Sequence, residues 1–83
     1  MATETENETF SLIDDSRASL TYQVAGKTVK VLSSVFVGGV DLKKRNHEYF
    51  LTITKPELRL GKVIVEVDGK STTIEVFPHN WVG

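Results

Sequence analysis

The run from Lys62 to Val76 constrains this chain more than any other stretch. Val63, Val65 and Val67 recur with a period of two, the repeat of a strand that buries one face. Asp68-Gly69 then supplies the two residue types that most readily take positive φ, as a type I′ hairpin turn demands. A hairpin closed there sets Val67 opposite Lys70, Val65 opposite Thr72 and Val63 opposite Ile74, with Val76 extending the same face. β-branched residues crowd both arms, as strand propensity requires. A slip by one position would turn every valine outward, so burial itself specifies the register.

The same period runs through most of the chain. Ala18, Leu20, Tyr22 and Val24 alternate with Ser19, Thr21 and Gln23, and Val29 and Val31 follow beyond Ala25-Gly26. A two-residue loop at Ala25-Gly26 is expected to close another hairpin, pairing Val24 with Lys27, Tyr22 with Val29 and Leu20 with Val31. Tyr49, Leu51 and Ile53 face one way on a further strand. Between them lie Val35-Phe36-Val37, the break Gly38-Gly39 and an expected charged loop from Asp41 to His47. Asp14-Asp15-Ser16 reads as a turn. Residues 55–61 read as a tight connection with one helical turn, opened by Pro56 and closed by Gly61. No stretch carries a helical apolar stripe of useful length. The expected fold is all-β: a small antiparallel β-sandwich of six or seven short strands, with a small SH3- or OB-like barrel as the alternative. The chain divides into an acidic polar arm over 1–9, one β domain over 10–77 and an aromatic tail over 78–83.

With 83 residues the chain has room for one small domain, which buries only about 60–65% of the surface exposed by its unfolded form. Domains of this size often rely on disulfides, a metal or a partner. The absence of cysteine excludes disulfides, zinc–cysteine sites and iron–sulfur clusters together. The formal charge of −1 hides an asymmetry. Glu4, Glu6, Glu8, Asp14 and Asp15 stand unopposed in residues 1–16, while all ten Lys and Arg face the remaining six acids in the body. No run approaches the roughly 18 apolar residues of a membrane span, so no membrane partner is expected. The acidic start offers no signal peptide, and a cytoplasmic or virion-associated location is the expectation.

Motifs for catalysis fail on inspection. Gly26-Lys27-Thr28 and Gly69-Lys70-Ser71 end like a phosphate-binding loop. The position that needs the first glycine holds Thr21 or Ile64, and both triplets run into strands instead of a helix. His47 and His79 lie in a charged loop and in the tail, with no nucleophile motif around any serine. Asp14, Asp15 and Asp41 match no calcium loop. A packed core this small leaves little room for a substrate pocket of roughly several hundred cubic ångströms. No enzyme activity, cofactor, metal or small-molecule substrate is expected.

Two other features point outward. Lys43-Lys44-Arg45, with Tyr49 and Phe50 just beyond, combines cations for phosphates with rings for stacking, as single-stranded nucleic acid requires. At the other end, Pro78 stops the last strand, and Phe77, Trp81 and Val82 load a tail with apolar surface. Trp81 there either folds back to close the sandwich or anchors in a partner. Glu4, Glu6 and Glu8 give the opposite arm a charge with which to lie along a neighbour.

Tyr49 to Thr54, then Pro56-Glu57-Leu58, Gly61 to Val67 and the Asp68-Gly69 hairpin resemble the end of an immunoglobulin-like domain, in which a strand leads through a short corner to the last two strands. Val63 stands where that family has its corner tyrosine and Val65 where it has a cysteine, and no tryptophan stands mid-chain. The resemblance implies a role in adhesion, scaffolding or coats. The expectation is therefore a structural accessory subunit that binds a larger protein or assembly, for example a decoration-type protein on a viral shell. A single-strand-binding barrel and a protein inhibitor of an enzyme are the alternatives.

Overall fold

Every run of alternating apolar residues forms a strand, and the apolar sides meet in one core. The computed structural model describes residues 9–78. Seven strands follow in order: β1 (Phe10–Asp15), β2 (Ser19–Val24), β3 (Val29–Val35), β4 (Gly39–Arg45), β5 (Glu48–Thr54), β6 (Gly61–Val67) and β7 (Lys70–Val76). They build two antiparallel sheets, β1-β2-β5-β4 and β3-β6-β7. This is the strand order of a constant-type immunoglobulin sandwich. Val63 and Val65, at the tyrosine and cysteine positions, are completely buried in the common core.

The core is aliphatic with two rings. Leu20, Leu51, Ile53, Ile74 and the valines of β6 close on one another, and Phe10 meets Tyr22 edge-on at 6.2 Å and 82° between ring planes. Among the described residues no helix is long and apolar enough to cross a membrane.

The β6–β7 hairpin has the expected register: Val67 pairs with Lys70, Val65 with Thr72 and Val63 with Ile74. Asp68 and Gly69 take φ of 50° and 87°, as the type I′ turn requires. The expected β2–β3 hairpin does not form. β2 lies between β1 and β5 in one sheet, and β3 pairs with β6 in the other. Residues 25–28 cross between the layers, so the apolar sides of β2 and β3 share the core without sharing a ladder. The expected loop from Asp41 to His47 is mostly strand β4, which turns at Asn46 and His47, both with positive φ, into β5. No helical turn occurs between Pro56 and Gly61. Asp14 and Asp15 belong to β1. The turn comes after them, where the Ser16 hydroxyl accepts the Ser19 N–H at 3.1 Å.

A carboxylate fixes the crossing between layers. Asp68 Oδ1 accepts the N–H groups of Lys27 and Thr28, both at 2.9 Å, and the Thr28 hydroxyl at 3.2 Å. The Asp68 N–H donates in return to the Thr28 carbonyl at 2.9 Å. The Thr28 and Lys27 amides hold the Asp68 carboxyl below its ordinary value of 3.8. Folding therefore favours the ionised form, and this contribution is present above pH 3.8 and lost as pH falls through the lower folded value. Asp68→Asn keeps the shape and removes the charge. Its urea midpoint should fall below that of the wild type near neutral pH, and the gap should close in acid. A gap independent of pH would assign the effect to shape alone.

Candidate functional site at the Phe36 pole

Three connections converge at one end of the sandwich, after β1, β3 and β5. Their backbones are locked together: Gly38 N–H donates to the Thr54 carbonyl at 2.9 Å and Lys55 N–H to the Ala18 carbonyl at 2.8 Å. The Lys55 side chain is only 13% exposed, and its ammonium meets the Asp15 carboxylate at 2.9 Å. Between the loops lies an open groove of about 570 Å³, walled by Ala18, Phe36, Val37, Thr54, Pro56 and Leu58. The sequence argument for little pocket volume is corrected here, since the space lies between loops outside the packed core.

Phe36 sets the character of this pole. Its φ is 60°, a conformation that costs a bulky L-residue about 1–2 kcal/mol. Phe36 is 55% exposed, so burial does not repay that strain. The Arg59 guanidinium lies over the ring, 4.8 Å from its centroid. Leu58, 80% exposed, stands beside it, and Val35 and Leu60 extend the apolar surface. Gly61 makes this arrangement sterically possible. A Cβ there would fall 2.5 Å from Val37 Cγ1 and 3.1 Å from the Phe36 carbonyl oxygen. Strained residues of this kind concentrate at functional sites.

The walls of the groove are mainly apolar. Lys55, Glu57 and Arg59 also line it, and no nucleophile there is held against a base among the described residues. Among the described residues no three His, Cys, Asp or Glu side chains gather where they could hold a metal. No family model, curated protein or solved structure matches this chain.

Of the described residues singled out from sequence, all but Phe77 fall elsewhere. Lys43, Lys44 and Arg45 lie on β4, at a sheet edge, with Lys43 opposite Phe50 and Lys44 opposite Tyr49. Tyr49 packs against the core and donates its hydroxyl to the Lys27 carbonyl at 3.4 Å, while the Lys44 ammonium sits 5.4 Å from its ring centroid. Phe50, the next residue on the strand, faces the other way. Phe50 and the three cations line a shallow depression of about 290 Å³, and Lys43 also pairs with Asp41 at 3.6 Å. The two rings therefore form no common stacking platform. His47 is an exposed turn residue. Phe77 is half-buried and Pro78 buried just beyond β7. Glu4, Glu6, Glu8, His79, Trp81 and Val82 lie outside the described residues. β7 ends at the groove pole, because Val76 pairs with Gly61, whereas β1 begins at the opposite pole.

Sequence reading missed Phe36 and Leu58. The signal was present in Val35-Phe36-Val37, three consecutive apolar residues that break the alternation just before two glycines. Leu58 likewise stands between charged neighbours in a connection that has no use for it in the core.

Proposed function

We propose that the protein is a non-catalytic interaction module, an accessory subunit that docks on a larger protein or protein assembly through the Phe36 pole. The observation that carries this reading is a half-exposed aromatic residue on a backbone at positive φ. Such a ring repays its strain when a partner covers it. Aromatic residues and arginine dominate binding energy at protein interfaces, and Phe36 with Arg59 supplies both beside a groove that admits an apolar side chain. Glu57 and Arg59, which also line the groove, give the polar rim such interfaces carry. Phe77 and Pro78, which follow β7, lie at the same pole, which favours one contact surface there. A decoration-type subunit on a protein shell is the setting this reading favours.

Leu58→Lys tests it. The side chain is exposed, so thermal unfolding should shift by no more than about 0.5 kcal/mol. Recovery of the partner from native extract should fall by roughly thirtyfold, the effect of losing about 2 kcal/mol at the centre of an interface. Undiminished recovery would remove the pole from the contact. Recovery abolished by nuclease, by moderate salt and by changing Lys43, Lys44 and Arg45 would favour the nucleic-acid reading instead.

A further inference from the structure

The groove at the Phe36 pole has mainly apolar walls, yet a lysine is built into them. The Lys55 side chain is largely withdrawn from water, and a cation so placed needs a counter-charge. Asp15 supplies it, with Oδ1 2.9 Å from the Lys55 ammonium nitrogen. The register decides which acid does so. Asp15 pairs with Leu20, which is completely buried, so its side chain leaves β1 on the core side of the sheet. Asp14 pairs with Thr21, whose hydroxyl meets that of Thr52 on the opposite face, and so points away from Lys55. The other two charged residues of the groove, Glu57 and Arg59, are both exposed and offset one another in sign. Arg59 lies over the Phe36 ring, and Arg17, in the turn after β1, is exposed to water. The charge along the groove therefore balances because Asp15 stands behind Lys55.

We propose that Asp15 sets the specificity of the groove: by holding Lys55 it withholds the cation that would draw in an acidic group, and leaves a site for an uncharged apolar side chain of the partner. The inference rests on the docking reading and adds the chemical class of what that partner inserts. Asp15 is not one of the groove's walls, so it is a positioning residue that acts through Lys55. The Lys55 backbone is fixed at the wall by its N–H bond to the Ala18 carbonyl at 2.8 Å. With the Asp15 carboxylate gone, the ammonium stays beside a mainly apolar space without its counter-charge. A cation in such surroundings attracts an anion more strongly than it does in bulk water. In the wild type an acidic side chain would give up its water on entering and find Lys55 already engaged. An uncharged apolar side chain gives up nothing of the kind.

Two dyes that share one ring system test it on the full chain: phenylnaphthylamine, which is uncharged, and anilinonaphthalene sulfonate, which is an anion. The wild type should bind the neutral dye more tightly than the sulfonate. Leu58→Lys should weaken the neutral dye, which places it in the groove. Asp15→Asn should raise the affinity for the sulfonate by roughly tenfold at low salt and leave the neutral dye within about twofold. Moderate salt should shrink that gain, and Lys55→Met added to Asp15→Asn should cancel it. Circular dichroism and thermal unfolding establish that each variant is folded. If Asp15→Asn does not fold, the reversed pair, Asp15→Lys with Lys55→Glu, again holds both charges and should keep the wild-type preference. A wild type that binds the sulfonate as tightly as the neutral dye overturns the proposal, and so does neutral-dye binding untouched by Leu58→Lys. A folded Asp15→Asn protein with unchanged sulfonate affinity overturns it too, as does a gain that survives the loss of Lys55 or a reversed pair that prefers the sulfonate. The dyes need no partner, so this result stands apart from recovery by Leu58→Lys in native extract, which decides the docking reading.

Discussion

Leu51→Ala is expected to remove a large part of the stability of this domain. Leu51 is completely buried on β5, between Tyr22 of β2 and Leu42 of β4 in register. Truncating a buried leucine costs about 2–5 kcal/mol, of which part is the lost transfer of apolar surface and part the cavity left behind. A chain of this length has a total of only about 4–12 kcal/mol to lose. Neither a disulfide nor a described metal cluster lends it more. The melting temperature should fall by at least about 10 °C, and the variant should enter its unfolding transition at much lower urea. Leu58→Lys is the contrast, since it alters a larger exposed apolar surface at little cost to the fold. A loss below about 1 kcal/mol for Leu51→Ala would mean that β2, β4 and β5 do not close on this side chain as tightly as its complete burial implies.

That contrast also explains what could be read in the residues alone. Alternation reports which side of a strand is buried, and it reported correctly for β2, β5, β6 and β7. It does not report which strand lies alongside. Leu20, Tyr22 and Val24 match Val31 and Val29 equally well across a hairpin or across the space between two sheets. Deciding between these needs the Asp68 carboxylate, which arrives from a turn some forty residues later to hold the amides of Lys27 and Thr28. The β6–β7 hairpin was legible because Asp68-Gly69 names its turn type as well as its register. Asn46-His47 makes a comparable turn, but the charges of β4 that blunt a sheet edge hid the strand leading into it. The Phe36 pole was hidden for a different reason. An apolar run next to two glycines looks like core until its exposure is measured, and φ at Phe36 cannot be inferred from its identity.

Phe36 offers the sharpest separation of fold from function. Phe36→Gly removes the ring and also the clash that a Cβ suffers at φ 60°. Relief of about 1–2 kcal/mol opposes the lost Arg59 contact, about 0.5–1 kcal/mol, and the extra freedom glycine gives the unfolded chain. The net change in stability should therefore be small. Phe36→Ala loses the same ring and keeps the strain, so it should be less stable than Phe36→Gly by about 1 kcal/mol, against the usual order of these residues within regular structure. On the proposed docking role both variants should lose the partner, because the ring is what that surface would present. Matched denaturant titrations and recovery from native extract give the two readouts. Equal stability of the two variants would remove backbone strain as the feature that marks this pole. Retained binding by both would remove Phe36 from the interface and leave the ring as ornament on a sandwich that docks elsewhere.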